Sequence, residues 1–292
     1  MNLRTLFLSL LFATAANAQN NLTQYVNPFV GTDGHGHTFP GATTPFAMVQ
    51  LSPDTRIDGS WDGCSGYHYS DSFIYGFSHT HLSGTGCSDY GDIAFMPSLV
   101  SKAIIQIQRL DKIYYTFSKK SEKATPGYYS VQLNNGIKVE LSASTRVGIQ
   151  KYTYNRSGYA WITLNLKHRD ELLEGMVNQI SKRTFSGFRR SKAWAEDQLV
   201  YYYFTLNRDA DQVIISKDSK GSYKVNLGFK VTKGQTILIK TALSTVDEEG
   251  AKNNLEKEMP HWDFQRVKNE ATKAWESELQ RIKVYGGSLR EK

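Results

Sequence analysis

The side chains able to do chemistry gather in one stretch, residues 27–97, which holds five of the seven histidines (His35, His37, His68, His79, His81) and both cysteines, Cys64 and Cys87. Four of these histidines form two H-x-H pairs, His35-Gly36-His37 and His79-Thr80-His81. In an extended strand, alternation sets both rings of such a pair on one face, where a nearby Asp could complete a metal site. On a Gly-bent loop the same histidines instead hold loop shape or read a sugar hydroxyl, and this is the favoured reading. Trp61 beside Asp62 can pack a sugar face while the carboxylate takes hydroxyls; a core Trp is the equal alternative. Cys87 follows Gly84-Thr85-Gly86 near two histidines, so a thiol nucleophile is conceivable, but a small buried or disulfide-bonded cysteine is favoured over it.

Other chemistries lack support. Gly31 to Gly36 is Gly-rich without the Lys-Ser/Thr and strand–helix context of a phosphate loop. There is no G-x-S-x-G for a hydrolase nucleophile. The stretch has seven Asp, one Arg (Arg56), no Lys and no Glu, a formal charge of −6 inside a chain of +7, and eleven glycines in 71 residues. Short polar groups on Gly-bent backbone, with aromatics among them, predict a binding surface rather than a packed core. Elsewhere Lys and Arg are scattered and nowhere concentrated with aromatics, so a solvated surface is expected and no nucleic-acid partner. Two cysteines in an exported chain could pair, but nothing in the sequence brings Cys64 to Cys87.

The elements that must position this stretch are read next. Residues 1–18 have the charge, apolar run and Ala16-Asn17-Ala18 ending of a cleaved signal peptide, with no transmembrane segment. From Lys102 to about Val246 the hydrophobic period is two. Tyr128–Leu133, Asn134-Asn135-Gly136 and Ile137–Leu141 predict a hairpin. Gly148–Tyr154 and Tyr159–Leu166 flank Asn155–Gly158 in the same way, and further strands are expected at Leu199–Leu206, Gln212–Ser216, Tyr223–Val231 and Thr236–Leu243. The fold class is mainly β: an antiparallel β-sandwich over residues 19–246, then linker helices over 247–292. Thr245 to Glu248 reads as a capping box opening a helix that Pro260 ends. A second helix, capped by Asp263, carries Phe264, Val267, Ala271, Trp275, Leu279 and Ile282 as an apolar stripe. Val284-Tyr285-Gly286-Gly287 breaks it, and the pair of helices reads as a connector to a further domain.

The run NPFVGTDGHGHTFPGATTPFAMVQLSPDT, with WDGCSGYHYSD and GFSHTHLSGTGCSDYGD after it, resembles the amino-terminal signature of the family 92 α-mannosidases. The likeness continues through ELSASTRVGIQKYTY and FSGFRRSKAWAEDQLVYYYF to Pro260-His261-Trp262. It implies an exported bacterial (periplasmic or secreted) enzyme that removes terminal mannose from glycans, with inversion and with calcium. Its expected architecture is an N-terminal β-sandwich, linker helices and a helical (α/α)6 barrel. Inversion needs one carboxylic acid and one carboxylate base. In the family these, and most calcium ligands, lie in the helical domain, which this sequence is expected to lack, so no catalytic or metal residue is transferred. The resemblance implies a pocket rim of Trp61, Asp62, Cys64, His79, His81 and Asp89. A stand-alone carbohydrate-binding module without catalysis is the alternative.

Overall fold

The computed structural model describes residues 21–100, 113–282 and 284–288. The expected signal peptide lies outside the described residues. Seventeen strands follow in chain order: β1 (Ala42–Thr43), β2 (Gln50–Asp54), β3 (Phe73–Ile74), β4 (Gly76–Ser78), β5 (Ala94–Val100), β6 (Tyr115–Thr116), β7 (Lys123–Thr125), β8 (Tyr128–Gln132), β9 (Ile137–Ala143), β10 (Val147–Tyr154), β11 (Gly158–Asn165), β12 (Glu171–Gln179), β13 (Thr184–Lys192), β14 (Gln198–Leu206), β15 (Gln212–Asp218), β16 (Gly221–Val231) and β17 (Thr236–Ser244). Two α-helices of the described residues, α1 (Glu248–Glu258) and α2 (Phe264–Leu279), follow β17.

The fold is mainly β. Hydrogen bonds join fifteen of the described strands into one sheet, in the order β1-β2-β4-β5-β11-β16-β12-β13-β14-β17-β10-β9-β8-β7, with β15 beside β16, while β3 and β6 pair apart from it. Two separate sheets were expected from the strand spacing. The two halves are instead joined through one parallel pair, Gly175↔Gly221, between β12 and β16. The halves share one apolar core, where Phe95 of β5 meets Phe204 of β14 edge-to-face at 5.2 Å. The expected β8–β9 hairpin forms, with Val131 opposite Val139. The second expected hairpin does not. β10 pairs with β9 and β17, whereas β11 pairs with β5 and β16. Both edges of each strand are taken, so Asn155–Gly158 carries the chain from one half of the sheet to the other.

Asp247 caps α1, its carboxylate accepting from Gly250 N at 2.6 Å. The expected cap, Thr245, is two residues early, because Ser244 Oγ holds Val246 N at 3.1 Å and keeps the chain in a turn there. Pro260 follows the helix, as its missing N–H requires. Asp263 caps α2 by accepting from Arg266 N at 3.0 Å. Phe264, Val267 and Ala271 are buried, and Phe264 and Val267 join Tyr128, Val147 and Ile149 in an apolar cluster against the sheet. Further along, Trp275 Nε1 donates to Thr43 O at 2.7 Å, and Glu276 accepts from Leu22 N and Thr23 N (3.0 and 2.7 Å). α2 ends at Leu279, so Ile282 lies beyond it and is exposed. Beneath the helix junction, buried Lys240 donates to Met259 O at 2.8 Å, with its ammonium 4.2 Å from the Trp262 ring centre.

Candidate functional site

The 27–97 stretch is not the open surface that its composition predicts. It contributes β1 to β5, and Asp54, Ser65, Ser78, His79 and Asp92 within it are fully buried. Polar groups enter a core when they find partners, and for Asp54 and Asp92 these include side chains from distant chain. Asp54 takes His81 Nε2 at 3.0 Å on one oxygen and His168 Nε2 at 2.8 Å on the other. Burial works to raise this carboxyl, but the two facing imidazoles outweigh it and hold Asp54 well below the usual carboxylate range. Asp92 is ion-paired to buried Arg189 and also accepts from Thr80 Oγ1 (2.7 Å) and Gln198 Nε2 (3.0 Å).

What remains toward the surface is a compact group in which Trp61 and His35 are exposed and His37 is buried behind them. Trp61 and Asp62 stand on a single 3-10 turn, Trp61–Gly63, closed by Cys64 N donating to Trp61 O at 3.2 Å. Trp61 is 55% exposed. The facing loop carries His35 and His37. Its path is set by Thr38 N to Gly31 O (3.1 Å) and Gly84 N to His37 O (2.7 Å). A Cβ at Gly36 would stand 2.2 Å from Gly31 O, so only glycine allows the loop to close on itself. His35 Nδ1 lies 2.6 Å from Asp62 Oδ1, and His37 Nε2 lies 3.7 Å from the same oxygen. The indole borders both rings, at 4.8 Å from His35 and at 4.4 Å, edge-on, from His37. The His35 hydrogen bond holds the Asp62 carboxyl below its ordinary range, so it is ionised at neutral pH.

Of the residues expected at a rim, only Trp61 and Asp62 stand in this group. Cys64 is buried behind them, its thiol donating to Thr85 O at 3.0 Å, and burial pushes that thiol up, away from the nucleophilic thiolate. Cys64 and Cys87 are both free. His79 is fully buried, Nδ1 against Ile93 O at 2.7 Å, and burial pulls it down to about 4, which makes it a neutral imidazole. His81 is buried with Nδ1 on Gln50 O at 2.7 Å and Nε2 on Asp54. Asp89 is buried and accepts from Ala195 N at 3.2 Å; its carboxyl is raised, first by burial. Neither H-x-H pair lies in a strand, so alternation does not set their faces. His35 and His37 belong with Trp61 and Asp62, and the H-x-H spacing was the signal that could have added them.

The calcium that the family resemblance implies would need oxygen donors. Among the described residues, His35, His37 and Asp62 are the His/Cys/Asp/Glu group whose donor atoms converge, all within 4.8 Å of one another. Two of the three are imidazole nitrogens, whereas calcium takes six to eight oxygens. The group does not fit calcium.

An exposed indole bordered by short polar groups is a surface suited to a sugar ring. Residues 25–244 match the glycosyl hydrolase family 92 N-terminal domain, and residues 250–292 match the glycosyl hydrolase family 92 catalytic domain. The chain belongs to glycoside hydrolase family 92. It is 26% identical over 321 residues to an uncharacterized secreted glycosidase of Arthroderma benhamiae, covering 96% of this chain and 41% of that protein. A family GH92 α-mannosidase of Bacteroides thetaiotaomicron is similar in structure, with a TM-score of 0.83 and 32% identity over 92% of this chain and 39% of its own. A GH92 inverting mannosidase from Bacteroides thetaiotaomicron VPI-5482 gives a TM-score of 0.78 and 25% identity, over 92% and 38%. The chain thus spans about two fifths of the length of these relatives. No helix of the described residues is long and apolar enough to cross a membrane.

Proposed function

We propose that this chain forms the sugar-facing, amino-terminal portion of an α-mannosidase acting on terminal α-mannosidic bonds of mannose-containing glycans, N-glycans among them. Trp61 packs against a mannose ring, and Asp62 with His35 exchanges hydrogen bonds with its hydroxyls. The observation that carries this reading is the exposed Trp61 face, bordered by His35, His37 and an ionised Asp62. Hydrolysis is proposed to invert the anomeric centre, which needs a carboxylic acid and a carboxylate base. Asp62, held in the ionised form, is a hydroxyl acceptor and not the acid. The acid, the base and the calcium ligands are assigned outside this chain. Cys64, His79, His81 and Asp89 are buried and are not assigned contact with sugar. Export to the periplasm or beyond is proposed from the signal-peptide pattern of residues 1–18 and from the likeness to a secreted glycosidase.

Calorimetric titration with methyl α-mannoside tests the site. The wild-type chain should bind and Trp61→Ala should lose at least about tenfold in affinity, equivalent to roughly 1.4 kcal/mol. Unchanged affinity in the variant would sink the reading. Incubation with an α-1,2-mannobiose and calcium separates an enzyme portion from an independent enzyme. No turnover is expected from the chain alone, and turnover abolished by a substitution within it would reassign the acid and base to these residues.

A further inference from the structure

We propose that His35, His37 and Asp62 bind a divalent first-row transition metal of the zinc class, through His35 Nδ1, His37 Nε2 and an Asp62 carboxylate oxygen. This goes beyond the sugar reading and does not depend on it.

The strongest sign is His37. It is 7% exposed, its Nε2 has no hydrogen-bond partner, and that atom points at Asp62 Oδ1 from 3.7 Å. A buried ring nitrogen left unpaired beside a carboxylate is the arrangement that a cation between them would complete. Trp61 walls both imidazoles without offering a lone pair, so the rings are confined while their donor atoms stay free to converge.

The donor set selects the ion. Two imidazoles and one carboxylate suit zinc, cobalt or nickel and disfavour calcium and magnesium. With bonds of about 2.0–2.1 Å, donor atoms around zinc lie roughly 3–4 Å apart. The three atoms here already lie within 4.8 Å of one another, and exposed His35 can swing to close the gap. Coordination requires neutral imidazoles. His35 then carries its proton on Nε2 and turns the lone pair of Nδ1 to the metal. Asp62 then neutralises one of the two positive charges, and a position open to solvent remains for water or a hydroxyl pair.

Zinc titrated into the metal-stripped full chain by calorimetry, with no sugar present, should bind at one equivalent, and cobalt should develop visible absorption as it fills the same site. Asp62→Asn and His37→Gln should each weaken binding at least about tenfold. Asp62 is on the surface, so its variant keeps the fold, and a thermal melt checks His37→Gln. Excess calcium should not displace zinc. Absence of saturable binding, unchanged affinity in either variant, or displacement by calcium would overturn the proposal. Zinc titrated without mannoside reads this proposal alone, whereas methyl α-mannoside titrated into the metal-stripped chain reads the sugar proposal, so the two fail separately.

Discussion

Replacing Asp54 with alanine removes the carboxylate that His81 and His168 both face inside the core. All three side chains are buried, at 3.0 and 2.8 Å. An exposed pair of this kind would be worth about 0–1 kcal/mol. Removing one partner of a buried set costs about 3–5 kcal/mol, because the charge or polar atoms left behind cannot reach water. For a chain of this size that is roughly a 10 °C fall in Tm. The acid limb supplies a second reading. The Asp54 carboxyl is depressed in the folded state below its ordinary 3.8, so its stabilisation is complete above that value and is lost as pH falls below it. Urea titrations followed by tryptophan fluorescence at pH 7 and again below pH 4 should therefore find wild type losing stability with acid and Asp54→Ala losing less. A pH 7 cost below about 1 kcal/mol, or the same acid slope in both proteins, would refute the argument that this carboxylate organises the interior.

Two further outcomes follow from neighbouring contacts. Gly66 has φ +84°, and a Cβ there would stand 2.4 Å from Asp54 Oδ1, so Gly66→Ala should cost about 2–5 kcal/mol by chemical denaturation and weaken mannoside binding at the adjoining Trp61 turn. Lys240 is buried and pulled down by burial to about 8 from 10.5. The folded chain therefore holds fewer protons than the unfolded one between those values, and stability should rise with pH across that window. Lys240→Met should flatten this rise in urea midpoints taken at pH 7.5 and pH 10, and should lower hydrogen-exchange protection where α1 meets α2.

Local signals were legible wherever a few adjacent residues decide the outcome. Asn134-Asn135-Gly136 turns β8 into β9, and Asp263 caps α2, because turn and cap geometry is satisfied within four residues. Asn155–Gly158 has equally good turn chemistry, yet its flanking strands never pair. A turn signal encodes a reversal, whereas pairing depends on which edges are free, and β9 and β17 already occupy those of β10. Likewise Thr245 was a plausible cap until Ser244 Oγ held the chain out of the helix for two more residues.

The sequence by itself determined that residues 27–97 are special, and the NPFVGTDGHGHTFPG signature led to the family. It could not sort the polar side chains of that stretch into site and core. Only the tertiary structure decided that His79 and His81 lie in the core, that His35 is exposed beside Trp61 and Asp62, and that His37 is buried just behind them. The physical reason is that a histidine or aspartate is buried or displayed according to whether a partner awaits it. Those partners, His168 for Asp54 and Arg189 for Asp92, lie 114 and 97 residues further along the chain.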